Sequence, residues 1–260
     1  MPKVKVNGIN LNYEIHGRGL PVFFLHGFSG TLNSWRSQVP VLSRDYRFII
    51  YDARGHGQSD SPPELDRYSI DIVVEDLFQF LKSLKIEKAV VGGLSMGGYE
   101  SLRFYLTHPQ MVAALILMDT GPGYRNPARR DEWNQRQEEQ AKLLETQGIE
   151  AFVARAPTYT SRELLLKQNP IGLANMARKV VAQFDSLVME NLANIKVPTL
   201  VLVGEKDTPF LAAAEHMSKT IPGAQKAVIP NAGHAANIDN VDGFNKAVLD
   251  FLRMLNLKKG

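Results

Sequence analysis

Apolar and polar residues alternate over positions 4–15, and an Asn-Gly pair at 7–8 interrupts the alternation. A period of two is typical of a strand with one buried face, and Asn-Gly between two such segments favours a tight hairpin turn. These residues are therefore predicted to form an antiparallel hairpin at one edge of a sheet.

Continuous apolar runs follow, separated by helical patterns and glycine-rich loops. Short apolar runs without alternation indicate strands buried on both faces, and their regular exchange with helices is typical of a parallel sheet covered on both sides. The predicted strands lie at 21–25, 48–51, 89–91 and 114–118 and at the runs that begin at 197 and 227, and the predicted helices include 72–84 and the residues after position 95.

Between positions 119 and 197 this strand pattern stops. Residues 122–194 instead have helical periodicity, interrupted at Gly148, Pro157 and Pro170. We interpret them as a helical cap inserted after the sixth strand. The remaining residues, 1–121 and 195–260, then form the α/β core.

The first cap helix is predicted over about residues 127–147, which are dense in charge. Glu132 with Arg136, and Glu138 with Lys142, are four residues apart, the spacing at which opposite charges meet on a helix surface. We expect both pairs on an exposed face of this helix.

Composition excludes several classes of protein. With 260 residues the chain can form one large core, and the formal net charge of +3 comes from basic residues interleaved with acidic ones, so nucleic-acid binding is not expected. Cysteine is absent, which leaves no disulfide framework or thiolate metal site. Neither a signal-peptide core nor a bilayer-spanning apolar run is visible, so we expect a cytoplasmic protein without membrane contact.

A serine lies in a Gly-x-Ser-x-Gly pattern at residues 93–97, between an apolar strand and a helical pattern. A strand-turn-helix segment of this kind places the serine in a sharp turn that exposes its hydroxyl above the sheet. Glycines are expected at 93 and 97 because the strand and helix backbones come too close there for side chains. Ser95 is the candidate nucleophile, and the alternative interpretation is an ordinary helix N-cap.

A serine nucleophile needs a base, and the base needs an orienting acid. His234 follows the last predicted strand in a glycine-flanked loop and is the candidate base. Asp207 and Asp119 each follow a predicted strand, and the carboxyl ends of parallel strands meet at one sheet edge, so either can approach the histidine. The chain order serine, acid, histidine favours Asp207.

The loop His-Gly-Phe-Ser-Gly at residues 26–30 directly follows the strand at 21–25. A glycine-rich loop at this place can turn a backbone N–H toward the nucleophile. The amides of Phe28 and Met96 are predicted to form an oxyanion hole for the charge that develops on a substrate carbonyl oxygen. His26 is expected to brace this loop and is also a candidate substrate contact.

The glycine-rich loop after the strand at 48–51 contains Asp52, Arg54 and His56. We interpret Asp52 and Arg54 as an ion pair within a structural turn cluster, and His56 as a member of that cluster. The remaining histidines are isolated in the sequence, and no spacing brings three ligands together, so no metal or other cofactor is expected.

Together these motifs resemble the α/β-hydrolase superfamily over nearly the whole chain, and its cap-bearing carboxylesterases and lactonases are the most similar members. The resemblance implies a mostly parallel eight-stranded sheet with helices on both faces and a helical cap after the sixth strand. It also implies a Ser95-Asp207-His234 triad. The residues that carry it are 26–27 (HG), 52–59 (DARGHGQS), 93–98 (GLSMGG), 204–207 (GEKD) and 233–234 (GH).

A second similarity is to the menaquinone-pathway synthase that eliminates pyruvate. It is visible in residues 119–123 (DTGPG), in 169–174 (NPIGLA), and in 204–207 followed by Phe210. That family places an arginine directly after its Ser-Met-Gly-Gly turn to bind a carboxylate, whereas this chain has Tyr99 there.

The first resemblance implies a serine hydrolase that cleaves small-molecule carboxylic esters or lactones through an acyl-enzyme on Ser95. Alternatives are carbon–carbon bond hydrolysis or pyruvate elimination on the same triad, and a ligand receptor of this fold with little turnover. The two enzymatic alternatives need a fixed cation for an anionic substrate. Candidates for that cation are Arg103, Arg125, Arg155 and Arg178.

Substrate contacts are expected from residues above the nucleophile and from large apolar residues of the cap. Tyr99, Trp133 and Phe152 are the candidate contacts. The other apolar cap residues available to line a pocket, most of which we expect to hold the cap on the core, are Tyr159, Met176, Phe184 and Met189.

Overall fold

The computed structural model describes residues 2–155 and 161–255. Its strands are β1 (Lys3–Val6), β2 (Ile9–His16), β3 (Pro21–Leu25), β4 (Arg47–Tyr51), β5 (Ala89–Leu94), β6 (Val112–Met118), β7 (Thr199–Gly204) and β8 (Gln225–Ile229). They form one sheet in the order β1-β2-β4-β3-β5-β6-β7-β8. Pairing is antiparallel between β1 and β2 and between β2 and β4, and parallel elsewhere. The predicted α/β fold is confirmed.

The edge hairpin is built as its sequence predicts. Val6 pairs with Ile9, which leaves Asn7 and Gly8 as a two-residue turn. Both turn residues have positive φ, 44° and 76°, as a type I′ turn requires. Asparagine and glycine are the residues that adopt this conformation at least cost.

The helices and helical turns of the described residues lie between these strands and, for the last two helices, after β8. They are α1 (Val39–Leu42), α2 (Ile70–Ser83), α3 (Met96–Thr107), α4 (Pro127–Arg155), α5 (Arg162–Leu166), α6 (Pro170–Met176), α7 (Leu187–Asn191), α8 (Thr208–Thr220), α9 (Ala236–Asp239) and α10 (Val241–Met254), with 3₁₀ turns at Leu32–Trp35, Leu65–Arg67, Pro109–Met111 and Leu192–Asn194 and a π-helix at Ala177–Val181. Helix α2 begins two residues before its predicted start because the Ser69 side chain accepts a hydrogen bond from the Ile72 amide and caps it.

The central strands are buried on both faces. Every residue of β5, β6 and β7 is buried, and alternate residues of β3 and β4 face opposite sides of the sheet. Phe23 belongs to the apolar cluster that α2, α3 and α8 cover on one side, and Phe24 belongs to the cluster that α1 and α10 cover on the other. This double burial is the physical reason for continuous apolar runs in the sequence.

The helices α4 to α7 and the π-helix lie between β6 and β7. Within them, α4 breaks at Gly148, whose φ of 78° is not helical, so the predicted end of the first cap helix near residue 147 matches this kink. The sheet is not interrupted by the insertion, since Leu115 of β6 pairs with Thr199 of β7. Within the described residues, no helix is both long and apolar enough to cross a membrane.

Ion pairs on α4 differ in part from the prediction. Glu138 and Lys142 are paired at 3.7 Å, but the predicted Glu132–Arg136 pair is wrong, because Glu132 bonds to Arg129 at 3.2 Å. Glu138 also contacts Arg178, at 2.6 Å, which ties α4 to the π-helix.

Candidate active site

Ser95 lies in a strained turn between β5 and α3. Its φ of 54° and ψ of −112° are a conformation that non-glycine residues rarely adopt. The Ser95 amide donates to Met118 O at 2.9 Å, which anchors the turn to β6. In the described chain the Ser95 side chain makes no capping hydrogen bond to α3, so its hydroxyl is not used to cap the helix.

The glycines that flank the turn are required by close backbone approach, as predicted. A Cβ at Gly93 would lie 2.3 Å from the carbonyl carbon of Gly97, and a Cβ at Gly97 would lie 2.5 Å from Leu25 O. Contacts this short with backbone atoms cannot be relieved by moving a side chain. The two glycines therefore allow α3 to start directly behind the serine.

Asp207 and His234 are brought together by the loops after β7 and β8. The Asp207 carboxylate Oδ2 lies 2.9 Å from His234 Nδ1, and Asp207 is 4% exposed. Phe210 stacks on the imidazole with ring centroids 4.8 Å apart. The carboxylate and the ring contact fix the imidazole plane, with Nδ1 facing Asp207.

Asp119, the other candidate acid, has a different set of partners. Its Oδ1 accepts from the Gly204 amide at 2.7 Å and its Oδ2 from the Ala236 amide at 3.2 Å. Burial raises the pKa of Asp119 to about 7, opposed by the bond from Gly204 and reinforced by the negative charge of Asp207. The side chain thereby links the end of β7 to the loop that carries His234.

The predicted oxyanion loop packs against the serine turn. A Cβ at Gly27 would lie 3.4 Å from the Ser95 Cβ. Within residues 2–155 and 161–255, the amides of Phe28 and Met96 donate to no protein acceptor outside regular helix and strand bonding. Both residues line the same cavity as Ser95. Phe28 and Met96 therefore remain the candidates for the predicted oxyanion hole.

Two buried histidines brace this loop from below. His26 Nδ1 lies 2.8 Å from Gly27 O, and its Nε2 accepts from the Ala53 amide at 2.9 Å, so Nδ1 carries the hydrogen. His56 Nε2 accepts from the Ser29 amide at 3.2 Å. Burial, and secondarily the neighbouring His26, lowers the pKa of His56 to about 3. His26 is 1% exposed and lies beneath the loop. It is not among the described residues that line the cavity, so the predicted substrate contact by His26 is wrong.

The predicted Asp52–Arg54 ion pair is wrong. Arg54 forms a two-bond contact with Asp76 of α2, at 2.7 and 2.8 Å, and both side chains are buried. Asp52 accepts instead from the amides of Leu32 and Gln58 at 2.8 and 2.9 Å. Asp52 therefore holds two loops together, and Arg54 ties its loop to a helix.

A cavity of about 1070 Å³ lies between the carboxyl edge of the sheet and the cap, lined by Ser95, Asp207 and His234. Of the candidate contacts from the sequence, Tyr99, Trp133, Phe152 and Met189 line it. Met176 is fully buried away from it, Phe184 is 65% exposed, and Tyr159 lies outside the described residues.

Tyr99 is a polar group of the cavity wall. Burial, with the negative charge of Asp185 second, raises the pKa of Tyr99 to about 12. The phenol therefore keeps its proton at neutral pH and can donate a hydrogen bond.

Of the arginines predicted as candidate cations, two are paired with carboxylates and one lines the cavity. Arg103 bonds to Asp71 and Asp185, each at 2.8 Å, and Arg178 bonds to two glutamates of α4. Arg155 lines the cavity and so does Arg136, which the sequence pattern assigned to a surface ion pair. Arg125 is exposed and is absent from the described lining. Within the described chain, no group of three potential metal ligands is present.

Comparison with known proteins agrees with this architecture. The family model for the alpha/beta hydrolase fold matches residues 21–148. A Bacillus subtilis protein named "Putative 2-succinyl-6-hydroxy-2,4-cyclohexadiene-1-carboxylate synthase" is 33% identical over 246 residues, covering 89% of each chain. This chain belongs to the α/β-hydrolase family.

Solved structures give the same assignment. A thermophilic esterase from Thermogutta terrifontis, determined with malate bound, has 30% identity and a TM-score of 0.88, over 99% of this chain and 100% of the esterase. The enol-lactonase from Burkholderia xenovorans LB400 has 27% identity and a TM-score of 0.85, over 97% and 100%. The family neighbours therefore include an esterase, a lactonase and a synthase.

Proposed function

We propose that this protein hydrolyses carboxylic esters, lactones included, through an acyl-enzyme on Ser95. The observation that carries the proposal is the 2.9 Å contact between Asp207 Oδ2 and His234 Nδ1, at the wall of the cavity that Ser95 also lines. The similarity to an esterase and an enol-lactonase supports the same reaction class.

In this mechanism His234 Nε2 takes the Ser95 hydroxyl proton as the oxygen attacks the substrate carbonyl. Asp207 holds the imidazole in the required tautomer and stabilises the imidazolium. The Phe28 and Met96 amides bind the oxyanion, each worth about 3 kcal/mol of transition-state stabilisation. His234 then protonates the leaving alcohol, and water activated by the same ring hydrolyses the acyl-enzyme.

Substrate choice belongs, in this proposal, to the cap of residues 122–194. Trp133 and Phe152 offer apolar surface, and Tyr99 and Gln137 add side chains with both apolar and polar atoms to the same wall. Trp133 is held in place by its indole N–H, which donates to Val181 O at 2.8 Å. The mixture suits a small ester whose acyl or alcohol part is partly apolar.

A second candidate is pyruvate elimination or carbon–carbon bond hydrolysis on the same triad. Arg136 and Arg155 favour it because they place two positive charges at the cavity where an anionic substrate would bind. The named function of the Bacillus subtilis relative is of this kind. Tyr99, at the position of that family's carboxylate-binding arginine, counts against it.

Covalent labelling tests the proposal. A fluorophosphonate should label Ser95 with one group per chain and abolish hydrolysis of p-nitrophenyl esters, because attack requires an exposed and activated hydroxyl. Ser95→Ala should be neither labelled nor active. Ser34, which lines the same cavity, supplies the matched control: Ser34→Ala should still be labelled at Ser95. Labelling at another serine would refute the assignment.

A substrate panel separates the candidate functions. Short- and long-chain p-nitrophenyl esters, several lactones and a dicarboxylate enol substrate should be offered to the same preparation. Ester or lactone turnover without reaction of the dicarboxylate supports the hydrolase, and the reverse supports the second candidate. Tight binding of these compounds without turnover would indicate a receptor.

A further inference from the structure

Gln168 joins the cap to two loops of the core. It lies in the turn between α5 and α6 and is 3% exposed. Its Nε2 donates to Ser29 O, in the loop after β3, and its Oε1 accepts from the Gly57 amide at 3.0 Å, in the loop after β4. One side-chain amide thus bridges two core loops from above.

The chemistry of the two partners fixes how this amide is oriented. Ser29 O is a carbonyl, so it must face the NH₂ group, and the Gly57 N–H must face the amide oxygen. Reversing the amide would place donor against donor and acceptor against acceptor. Both bonds therefore depend on a side chain with one donor and one acceptor at this length.

The loop that Gln168 holds is strained. Gly30 N donates to Gly27 O at 2.9 Å, which closes a turn over residues 27–30. Ser29, third in that turn, has φ of 58°, a conformation for which glycine or asparagine is preferred. Its amide is bonded to His56 from below and its carbonyl to Gln168 from above, so side chains from two directions maintain the strained peptide.

Orientation of the Phe28 amide depends on this turn. Gly27 O and Phe28 N belong to one planar trans peptide, so the N–H points away from the carbonyl that His26 and the Gly30 amide hold. The link to Ser29 runs through Gly30: relaxing the Ser29 backbone moves the Gly30 amide, loosens its bond to Gly27 O, and so frees the Gly27–Phe28 peptide and its N–H to rotate.

The geometry points to Gln168 as a positioning residue, which aligns the Phe28 amide for the oxyanion only while the cap is docked on the core. This inference rests on the proposed function, since it assigns the Phe28 amide to the oxyanion. Full stabilisation of the oxyanion then requires that the turn between α5 and α6, which carries Gln168, is ordered on the core. Gln168 itself does not touch substrate.

Two substitutions test it in the full-length protein. Gln168→Met keeps the length of the side chain and removes both polar groups, whereas Gln168→Glu keeps an acceptor for Gly57 and removes the donor to Ser29. Asn175 is the matched control, because it is a buried amide of α6 that bonds from the cap to a core carbonyl, Pro63 O, at 3.2 Å. Asn175→Leu removes that bond without contacting the oxyanion loop.

With p-nitrophenyl acetate, both Gln168 variants should lose about 10- to about 100-fold in kcat with KM nearly unchanged, the range that slight misplacement of a catalytic group produces. A trifluoromethyl ketone, which forms an oxyanion on the serine, should bind more weakly by a similar factor. Asn175→Leu should change neither quantity by more than about twofold. Equal effects in the Gln168 and Asn175 variants, or a loss confined to KM, would overturn the inference.

Hydrogen exchange makes the test independent of turnover. Amides of residues 27–30 should exchange faster in both Gln168 variants than in the wild type and in Asn175→Leu, with matching melting temperatures confirming that all are folded. Unchanged exchange refutes the role of Gln168 even in an active enzyme. Faster exchange in a protein without esterase activity would leave the loop contact standing and reject the proposed function alone.

Discussion

Glu100 is a buried acid of α3. It is 1% exposed, and neither carboxyl oxygen has a hydrogen-bond partner among the described residues. Burial, and secondarily the negative charge of Asp76, raises the pKa of Glu100 to about 8. We expect this carboxyl to be protonated in the folded protein at neutral pH and ionised in the unfolded chain.

The consequence is a loss of stability as pH rises from 4.5 to about 8. Since the folded pKa of about 8 lies above the ordinary value of 4.5, the folded state keeps a proton that the unfolded state has released between these values. The contribution of Glu100 to the free energy of unfolding is complete below pH 4.5 and is lost as pH rises through 8. At about 1.4 kcal/mol per pH unit, it should lower the free energy of unfolding by about 3 kcal/mol between pH 6 and pH 9.

Urea unfolding of the wild type and Glu100→Gln at pH 6 and pH 9 measures this contribution. Glu100→Gln has no carboxyl proton to release, so its free energy of unfolding should lack this loss between pH 6 and pH 9. Glu87→Gln, a change at an exposed glutamate, should retain the loss. Other titrating groups are common to all three proteins and cancel in the comparison. If wild type and Glu100→Gln lose stability in parallel, Glu100 is not protonated in the folded state and the reasoning fails.

Three further outcomes are expected. Asp207→Asn should reduce ester turnover by up to about 10⁴-fold by presenting the wrong imidazole tautomer, while Asp119→Asn should cost far less, and the reverse ranking in folded protein would transfer the acid role to Asp119. Gly97→Ala should lower the melting temperature and activity together, because the new Cβ would lie 2.5 Å from a carbonyl oxygen of β3; an unchanged melting temperature would contradict this. Burial lowers the pKa of both His26 and His56, so the unfolded chain gains protons below about pH 6.5 that the folded histidines do not, whereas the raised pKa of Asp119 acts in the opposite direction; changing the pH from 7 to 5 should therefore lower the melting temperature of the wild type relative to that of His56→Gln, and an unchanged difference would contradict this.

Parts of this structure that follow from burial on two sides were predictable from sequence. The strands of the sheet centre need apolar residues at every position, so runs such as 114–118 identified them. The serine turn was predictable because Gly93 and Gly97 satisfy a steric demand that other residues cannot. Local patterns of this kind specify their own environment.

Contacts between distant segments were harder to predict. Arg54 was assigned to Asp52, two residues away, but its partner Asp76 lies on α2. Arg136 was assigned to a helix-surface pair, yet it lines the cavity. In each case sequence spacing indicated a partner within the same loop or helix. The actual surroundings were determined by a second element that packs against it.

Gln168 had no sequence signal at all. Its partners are backbone groups of Ser29 and Gly57, which every sequence possesses, so no complementary residue type indicates the contact. Phe152 and Met176 present a related problem, since a helical pattern identifies a buried face without indicating whether cavity or core covers it.

The unbroken pairing of β6 with β7 has a consequence for how such a protein can change. Because Leu115 and Thr199 are neighbours in the sheet despite the long insertion between them, the sheet itself does not depend on the inserted helices, although Val188 and Leu192 at the end of the insertion pack in the core. The inserted helices before α7 could therefore be exchanged as a unit while the sheet edge that carries Ser95, Asp207 and His234 is kept. Any replacement must also supply a side-chain amide at the place of Gln168 that bonds to Ser29 and Gly57. Without it, the Phe28 amide would be misaligned and the turnover rate would be lower.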